Sequence, residues 1–164
     1  MKRDERLAEL ERVYRAQFTA FVRTAMAYLG DADDARDAVQ EGVATAIRRR
    51  ATYRGRGTLE AWLWSVVLNT IRSHYRRRSR LTLLDESQGD GSSAASEDDR
   101  ATETVRAAVG RLPERQRLVL FLRYYADLNY ATIAELLDMS EGTVAASLNA
   151  ARANLRGLVE EVRT

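Results

Sequence analysis

Leu128-Asn129-Tyr130-Ala131-Thr132-Ile133-Ala134-Glu135-Leu136-Leu137-Asp138-Met139-Ser140-Glu141-Gly142-Thr143-Val144-Ala145-Ala146-Ser147-Leu148 reads as two helices set against each other across a tight turn. Ala134 is the small residue needed where the helices cross closely. Asp138 suits a left-handed turn conformation, Met139 fills the turn and Ser140 caps the helix that follows. Val144 and Leu148 then repeat at helical spacing and point inward. This is the pattern of a helix-turn-helix spanning 130–156, a motif that places its second helix in a DNA groove.

Working outward, the spacing predicts two further helices before the motif, roughly Ala101–Gly110 and Pro113–Ala126, with Tyr130–Leu137 and Glu141–Val162 forming the motif itself. Pro113 is a helix-opening residue. Upstream lies a polar, small and acidic stretch that includes Gly89-Asp90-Gly91-Ser92-Ser93-Ala94-Ala95-Ser96 and then Glu97-Asp98-Asp99, which reads as a flexible linker. Residues 1–80 read as three helices. Leu7, Leu10, Val13, Tyr14, Phe18, Phe21, Val22 and Met26 mark the first. Gly30-Asp31-Ala32-Asp33 breaks and caps, and Ala35, Ala38, Val39, Gly42, Val43, Ala46 and Ile47 mark the second. After the loop Tyr53-Arg54-Gly55-Arg56-Gly57-Thr58, the third shows Leu59, Trp62, Leu63, Val66, Val67, Thr70 and Ile71 on one side. On that face Trp62 is expected in the core, while Trp64 lies off it as an exposed contact. No internal repeat is visible. The expectation is an all-α chain of two small domains, 1–80 and 101–164, joined by a flexible acidic linker over 81–100.

Composition narrows the function. The 164 residues hold no cysteine and one histidine, His74, so disulfides, cysteine nucleophiles and the usual zinc sets are excluded. No run approaches the roughly 18 apolar residues of a membrane span, which leads to the expectation of a soluble, cytoplasmic protein without membrane insertion. Neither a cofactor, a metal nor a catalytic cluster is expected. The net charge of +2 conceals an asymmetry: residues 1–80 carry 17 Lys/Arg against 10 Asp/Glu, residues 81–104 one against seven, and residues 105–164 eight against seven. The positive charge is almost all arginine, the side chain suited to phosphate and base-edge contacts.

Two segments of the first domain fit nucleic acid. Arg72, Arg76, Arg77, Arg78 and Arg80 crowd the end of the third helix, with Arg72 and Arg76 four apart and Asn69 three residues earlier. Arginines at a helix C-terminus also suit the helix dipole, but five in so short a stretch favour a phosphate-contacting face. Tyr53, Arg54 and Arg56 stand on a glycine-hinged loop that could stack on and hold an unpaired base, although an ordinary interhelix loop would look similar.

The order of these features resembles the extracytoplasmic-function sigma factors of the bacterial sigma-70 family. Asp34-Ala35-Arg36-Asp37-Ala38-Val39-Gln40-Glu41 looks like their core-polymerase-binding helix. Tyr53-Arg54-Gly55 with Ala61-Trp62-Leu63 and Asn69 is similar to the segment that melts and reads the −10 element. Leu112-Pro113-Glu114-Arg115-Gln116-Arg117, the stretch 128–135 and Glu141-Gly142-Thr143-Val144 resemble the −35-binding domain. The resemblance implies that residues 1–80 are sigma region 2 and residues 101–164 sigma region 4. It implies that Asp37, Gln40 and Glu41 face the β and β′ subunits of core RNA polymerase, and that Tyr53, Arg54 and Arg56 lie on the loop that captures a flipped −10 base. Asn69, Arg72 and Arg76 would contact the promoter DNA just upstream. Catalysis would belong to the polymerase. An anti-sigma factor and a transcription activator are further partners that it allows.

The recognition helix departs from the family pattern. Ala145, Ser147 and Ala150 stand where cations are usual, leaving Thr143, Ser147, Asn149 and Arg152, with Arg123 on an earlier helix, as candidates for −35 contact. Either the −35 contacts are weak and an activator or the −10 element compensates, or this surface works through protein contacts. A stand-alone helix-turn-helix repressor is a further alternative, and an enzyme is the least supported.

Overall fold

The computed structural model describes residues 3–84 and 97–163, and every regular element among them is helical. Helix α1 spans Arg3–Leu29, α2 Ala32–Arg49 and α3 Leu59–Leu84, with a 3-10 turn at Arg50–Thr52. Then come α4 (Glu97–Arg111), α5 (Glu114–Tyr124), α6 (Tyr130–Leu137) and α7 (Glu141–Arg163). The all-α reading therefore holds, but the helices run into both ends of the expected linker: α3 continues to Leu84 and α4 starts at Glu97. The glycine- and serine-rich part of that linker lies outside the described residues.

Local chemistry fixes the helix ends. Gly30 takes φ +69 and returns its N–H to Met26 O at 2.8 Å, closing α1. Asp31 then caps α2, its Oδ1 accepting from the N–H groups of Asp33 and Asp34 at 2.9 Å each. Those bonds, the one from Asp34 foremost, hold the Asp31 carboxyl below the usual carboxylate range. In the helix-turn-helix, Asp138 adopts φ 52, ψ 56, and the Ser140 hydroxyl accepts from Thr143 N at 3.1 Å, as the turn chemistry demands.

Packing sorts the apolar residues less evenly than their periodicity suggests. In α1, Leu10, Phe21, Ala25, Tyr28 and Leu29 are buried, whereas Leu7, Phe18 and Met26 are about 40% exposed. All three belong to the apolar periodicity that marks the helix. The apolar residues of α1 cover more of its circumference than its neighbours can.

Trp64 reverses its expected place, and Trp62 lies at the margin of the core. Trp64 is fully buried against Phe21, ring centroids 4.4 Å apart, while Trp62 is only half-buried beside Tyr53. Helix α3 is packed by both α1 and α2, so its buried arc is wider than one stripe and takes in position 64. A Cβ on Gly42 would lie 2.9 Å from Val67 Cα, so α2 and α3 approach too closely there for a side chain.

In the second unit Val119, Leu122, Ile133, Val144, Leu148 and Ala151 are buried together. The two units also pack against each other, and their buried residues form one continuous cluster. Tyr28 of α1 meets Phe121 of α5 edge-on at 4.7 Å, and the Arg117 guanidinium lies over the Tyr75 ring at 5.5 Å.

Candidate nucleic-acid and polymerase interfaces

Asp37, Gln40 and Glu41 are exposed on one face of α2, because Ala35, Ala38, Val39 and Gly42 take the opposite face into the core. Glu41 is held in place by His74 of α3, whose Nε2 lies 2.7 Å from Glu41 Oε2. That hydrogen bond is the main reason the Glu41 carboxyl titrates below its ordinary range. The result is an exposed polar face on which Glu41 is anchored by His74.

The loop 53–58 is built rather than slack. Tyr53 donates its hydroxyl hydrogen to Gly57 O at 2.8 Å, its ring leans on Trp62, and the Arg6 guanidinium sits over it at 5.6 Å. Arg6 also donates to the carbonyls of Arg50 and Tyr53. Gly55 and Gly57 take φ values of +73 and +72, conformations that L side chains rarely adopt, and so let the loop reverse. Arg54 and Arg56 are exposed on it. Arg6 was not legible as a loop support, since it lies far away in sequence and its charge has no local signature.

The arginine end of α3 divides. Asn69 and Arg76 are exposed and Arg72 is half-buried. Arg72 donates from Nε to Glu114 Oε1 at 2.9 Å, with Nη2 on the same oxygen, and Arg76 Nη2 lies 3.9 Å from it. Arg78 instead ties α3 to the α1–α2 corner, donating to Leu29 O at 2.7 Å and Asp34 Oδ2 at 3.0 Å. It is a structural arginine.

The five −35 candidates are not brought to one face. Val144, Leu148 and Ala151 define the inner side of α7. Thr143 and half-buried Ser147 fall on one flank of the helix, Asn149 and Arg152 on the other. Thr143 lies in the cap, its Oγ1 2.8 Å from the Ser140 hydroxyl. Arg152 donates from Nε to the Tyr124 hydroxyl at 2.7 Å and covers that ring. Arg123 is paired with Asp127 at 3.1 Å. The centre of the outward face is Gly142, Ala146, Ala150 and Ala153, all exposed and uncharged.

Among the described residues no group of three or more His, Asp or Glu could hold a metal, and no helix is long and apolar enough to cross a membrane.

Comparison with known proteins gives two family matches in chain order: sigma-70 region 2 over residues 13–81 and sigma-70 region 4 over residues 102–155. The chain is 31% identical over 142 residues to the ECF RNA polymerase sigma factor EcfG of Rhodopseudomonas palustris, covering 82% of this chain and 76% of that one. It is 28% identical to the RNA polymerase sigma factor SigV of Bacillus subtilis, covering 76% of this chain and 75% of the relative. Its fold is similar to CnrH in complex with the cytosolic domain of CnrY, with TM-score 0.67, 22% identity and 93% and 88% coverage. It is also similar to RpoE in complex with the anti-sigma factor NepR from Bartonella quintana, with TM-score 0.61, 24% identity and 93% and 95% coverage.

Proposed function

The chain belongs to the extracytoplasmic-function group of sigma-70 factors, RNA polymerase subunits that direct promoter recognition and transcription initiation, and from that premise we propose how its residues divide the work. The observation that carries the reading is the ordered pair of family matches, region 2 before region 4, on a chain whose helix-turn-helix is formed to its caps.

The first unit, residues 1–80, binds core polymerase and the −10 element. Asp37, Gln40 and Glu41 present the acidic face of α2 to the polymerase. The loop carrying Tyr53, Arg54 and Arg56 holds a base taken out of the stack, where an aromatic ring and cations can read it outside the duplex. Asn69, Arg72 and Arg76 grip the backbone just upstream, a contact that positions more than it specifies.

The second unit, residues 101–164, sets α7 in a major groove at the −35 element. With small uncharged residues at the centre of its outward face, few phosphate contacts are available from α7, and Thr143, Ser147, Asn149, Arg152 and Arg123 supply what there is. Residues 81–100 connect the two. Bond-making chemistry is left to the polymerase, and the chain works in the cytoplasm beside it. An anti-sigma factor is the expected regulator, since RpoE is seen bound to one.

The test is co-purification with core polymerase, followed by run-off transcription on genomic templates with start-site mapping. The expected result is a stable complex and transcripts that share a −10 motif. Failure to bind core, or no transcript on any template, overturns the reading.

A further inference from the structure

His74 is the one histidine of the chain, and it stands on α3 between Arg72 and Arg76. Helices α2 and α3 touch closely just before it. Gly42 of α2 lies against Val67 and Thr70, and one turn further along α3 the side chain that reaches α2 is that of His74. Its Nε2 lies 2.7 Å from Glu41 Oε2, although the two residues are 33 positions apart. The imidazole is 19% exposed and the carboxylate 54%, so a largely covered ring reaches out to a group in solvent. The nearby Thr70 hydroxyl donates instead to Val66 O at 3.1 Å.

The direction of the bond follows from charge. The hydrogen bond from His74, with Arg77 and Arg48 adding their fields, holds the Glu41 carboxyl below its ordinary range. At neutral pH it is therefore ionised and can only accept. The Nε2 proton is then the donated one, whether the imidazole is neutral or protonated. Oε2 is engaged and Oε1 stays free. Asp37 and Gln40 share the exposed face, but among the described residues neither side chain is hydrogen-bonded. Of the three groups assigned to the polymerase, Glu41 alone has its rotamer set before a partner arrives.

Holding a long side chain in its bound rotamer removes an ordering cost that association would otherwise meet. We propose that His74 is a positioning residue for core polymerase: it touches no partner itself, and its Nε2–H fixes Glu41 so that the free Oε1 meets an N–H donor of the polymerase already oriented. The hydrogen bond, not the histidine's charge, carries the effect. This role rests on the sigma reading of the α2 face and adds to it a residue outside the polymerase-facing set. A pair this exposed contributes little to folding, so partner binding should respond where stability does not.

The test measures equilibrium binding of the full chain to core RNA polymerase. His74→Phe keeps a ring of similar size and removes the donor, whereas His74→Gln returns an N–H at a similar reach. His74→Phe should bind core about three- to tenfold more weakly than the wild-type chain, with little change in melting temperature. His74→Gln should recover most of that loss. Glu41→Ala should weaken binding too, and adding His74→Phe to it should cause no further loss, because the histidine acts through the carboxylate. If the phenylalanine variant melts much earlier than wild type, His74→Asn takes its place. Its amide is a methylene shorter than that of glutamine, and it should show the same loss of affinity.

Wild-type affinity in the variant without the donor, an equal loss in His74→Gln, or a further loss on top of Glu41→Ala each overturns the positioning role. Any of these results with a wild-type chain that binds core leaves the sigma reading standing. A wild-type chain that does not bind core overturns both.

Discussion

Helix α3 carries Arg72, Arg76, Arg77, Arg78 and Arg80 along its second half, whereas the outward face of α7 is centred on Gly142, Ala146, Ala150 and Ala153. Both helices are assigned to DNA, yet one is dense with charge and the other nearly neutral. The net charges of the surrounding segments follow suit, 17 − 10 = +7 for residues 1–80 and 8 − 7 = +1 for residues 105–164. Phosphate affinity scales with the number of cations delivered to the backbone, so the first unit can supply most of the binding energy. The second has the helix-turn-helix scaffold with small uncharged residues at the centre of its outward face. A DNA-binding fold and a DNA-binding surface are thus separable properties, the one set by caps and core, the other by the exposed face.

The largest expected effect tests whether the two units are energetically separate at all. Trp64→Ala removes a fully buried ring and should cost about 3–5 kcal/mol. Because one apolar cluster runs through both units, calorimetry should show the whole chain melting earlier in a single transition. A second transition left at the wild-type temperature would break the chain into independent domains. Trp62→Ala, at a half-buried position, should cost much less.

Next comes the charge contrast itself. Arg72→Ala with Arg76→Ala should weaken promoter binding by the holoenzyme roughly tenfold or more and flatten its salt slope by about two phosphate equivalents. Ser147→Ala with Asn149→Ala should leave the salt slope unchanged. Equal losses of slope in a salt titration would erase the distinction between the two faces.

The seam between the units provides the third prediction. Burial pushes the Tyr28 phenol from 10.0 up to about 12. The fold therefore favours the neutral form. That contribution is complete below about pH 10 and is lost as pH rises to about 12, on the order of 2 kcal/mol. Tyr28→Phe should remove this part of the alkaline destabilisation, measured by denaturant melts across that range. It should cost little at neutral pH, because the Tyr28 hydroxyl is buried beside Arg117 without a hydrogen bond of ordinary geometry. The smallest effect should come from Ala146→Arg, which places a cation at the centre of the α7 face. Non-specific duplex binding should tighten several-fold and the salt slope steepen by about one unit; no change in a titration would mean that this face does not meet DNA.

Much of this molecule was readable in advance where the cause is local. Asp31 and Ser140 cap because their side chains reach backbone N–H groups two or three residues away, and Asp138 turns the chain by taking the left-handed backbone conformation. Asp37, Gln40 and Glu41 share an exposed face because Ala35, Ala38 and Val39 consume the other. Trp64 was misassigned for the opposite reason. A helix packed on two sides buries a wide arc, and a single-stripe reading of α3 leaves position 64 outside it.

What the sequence determines alone, then, is the number and order of the helices, their caps, the helix-turn-helix and the charge carried by each unit, all consequences of spacing and of contacts a few residues apart. What only the tertiary structure decides is which way the long side chains are spent: Trp64 into the core, Arg6 under Tyr53, Arg78 onto Asp34, and Arg72 onto Glu114. Those pairings join residues more than forty positions apart, and nothing in the periodicity of either partner encodes which arginine meets which carboxylate. The packing of one helix on another makes that choice, because it alone brings the groups within reach.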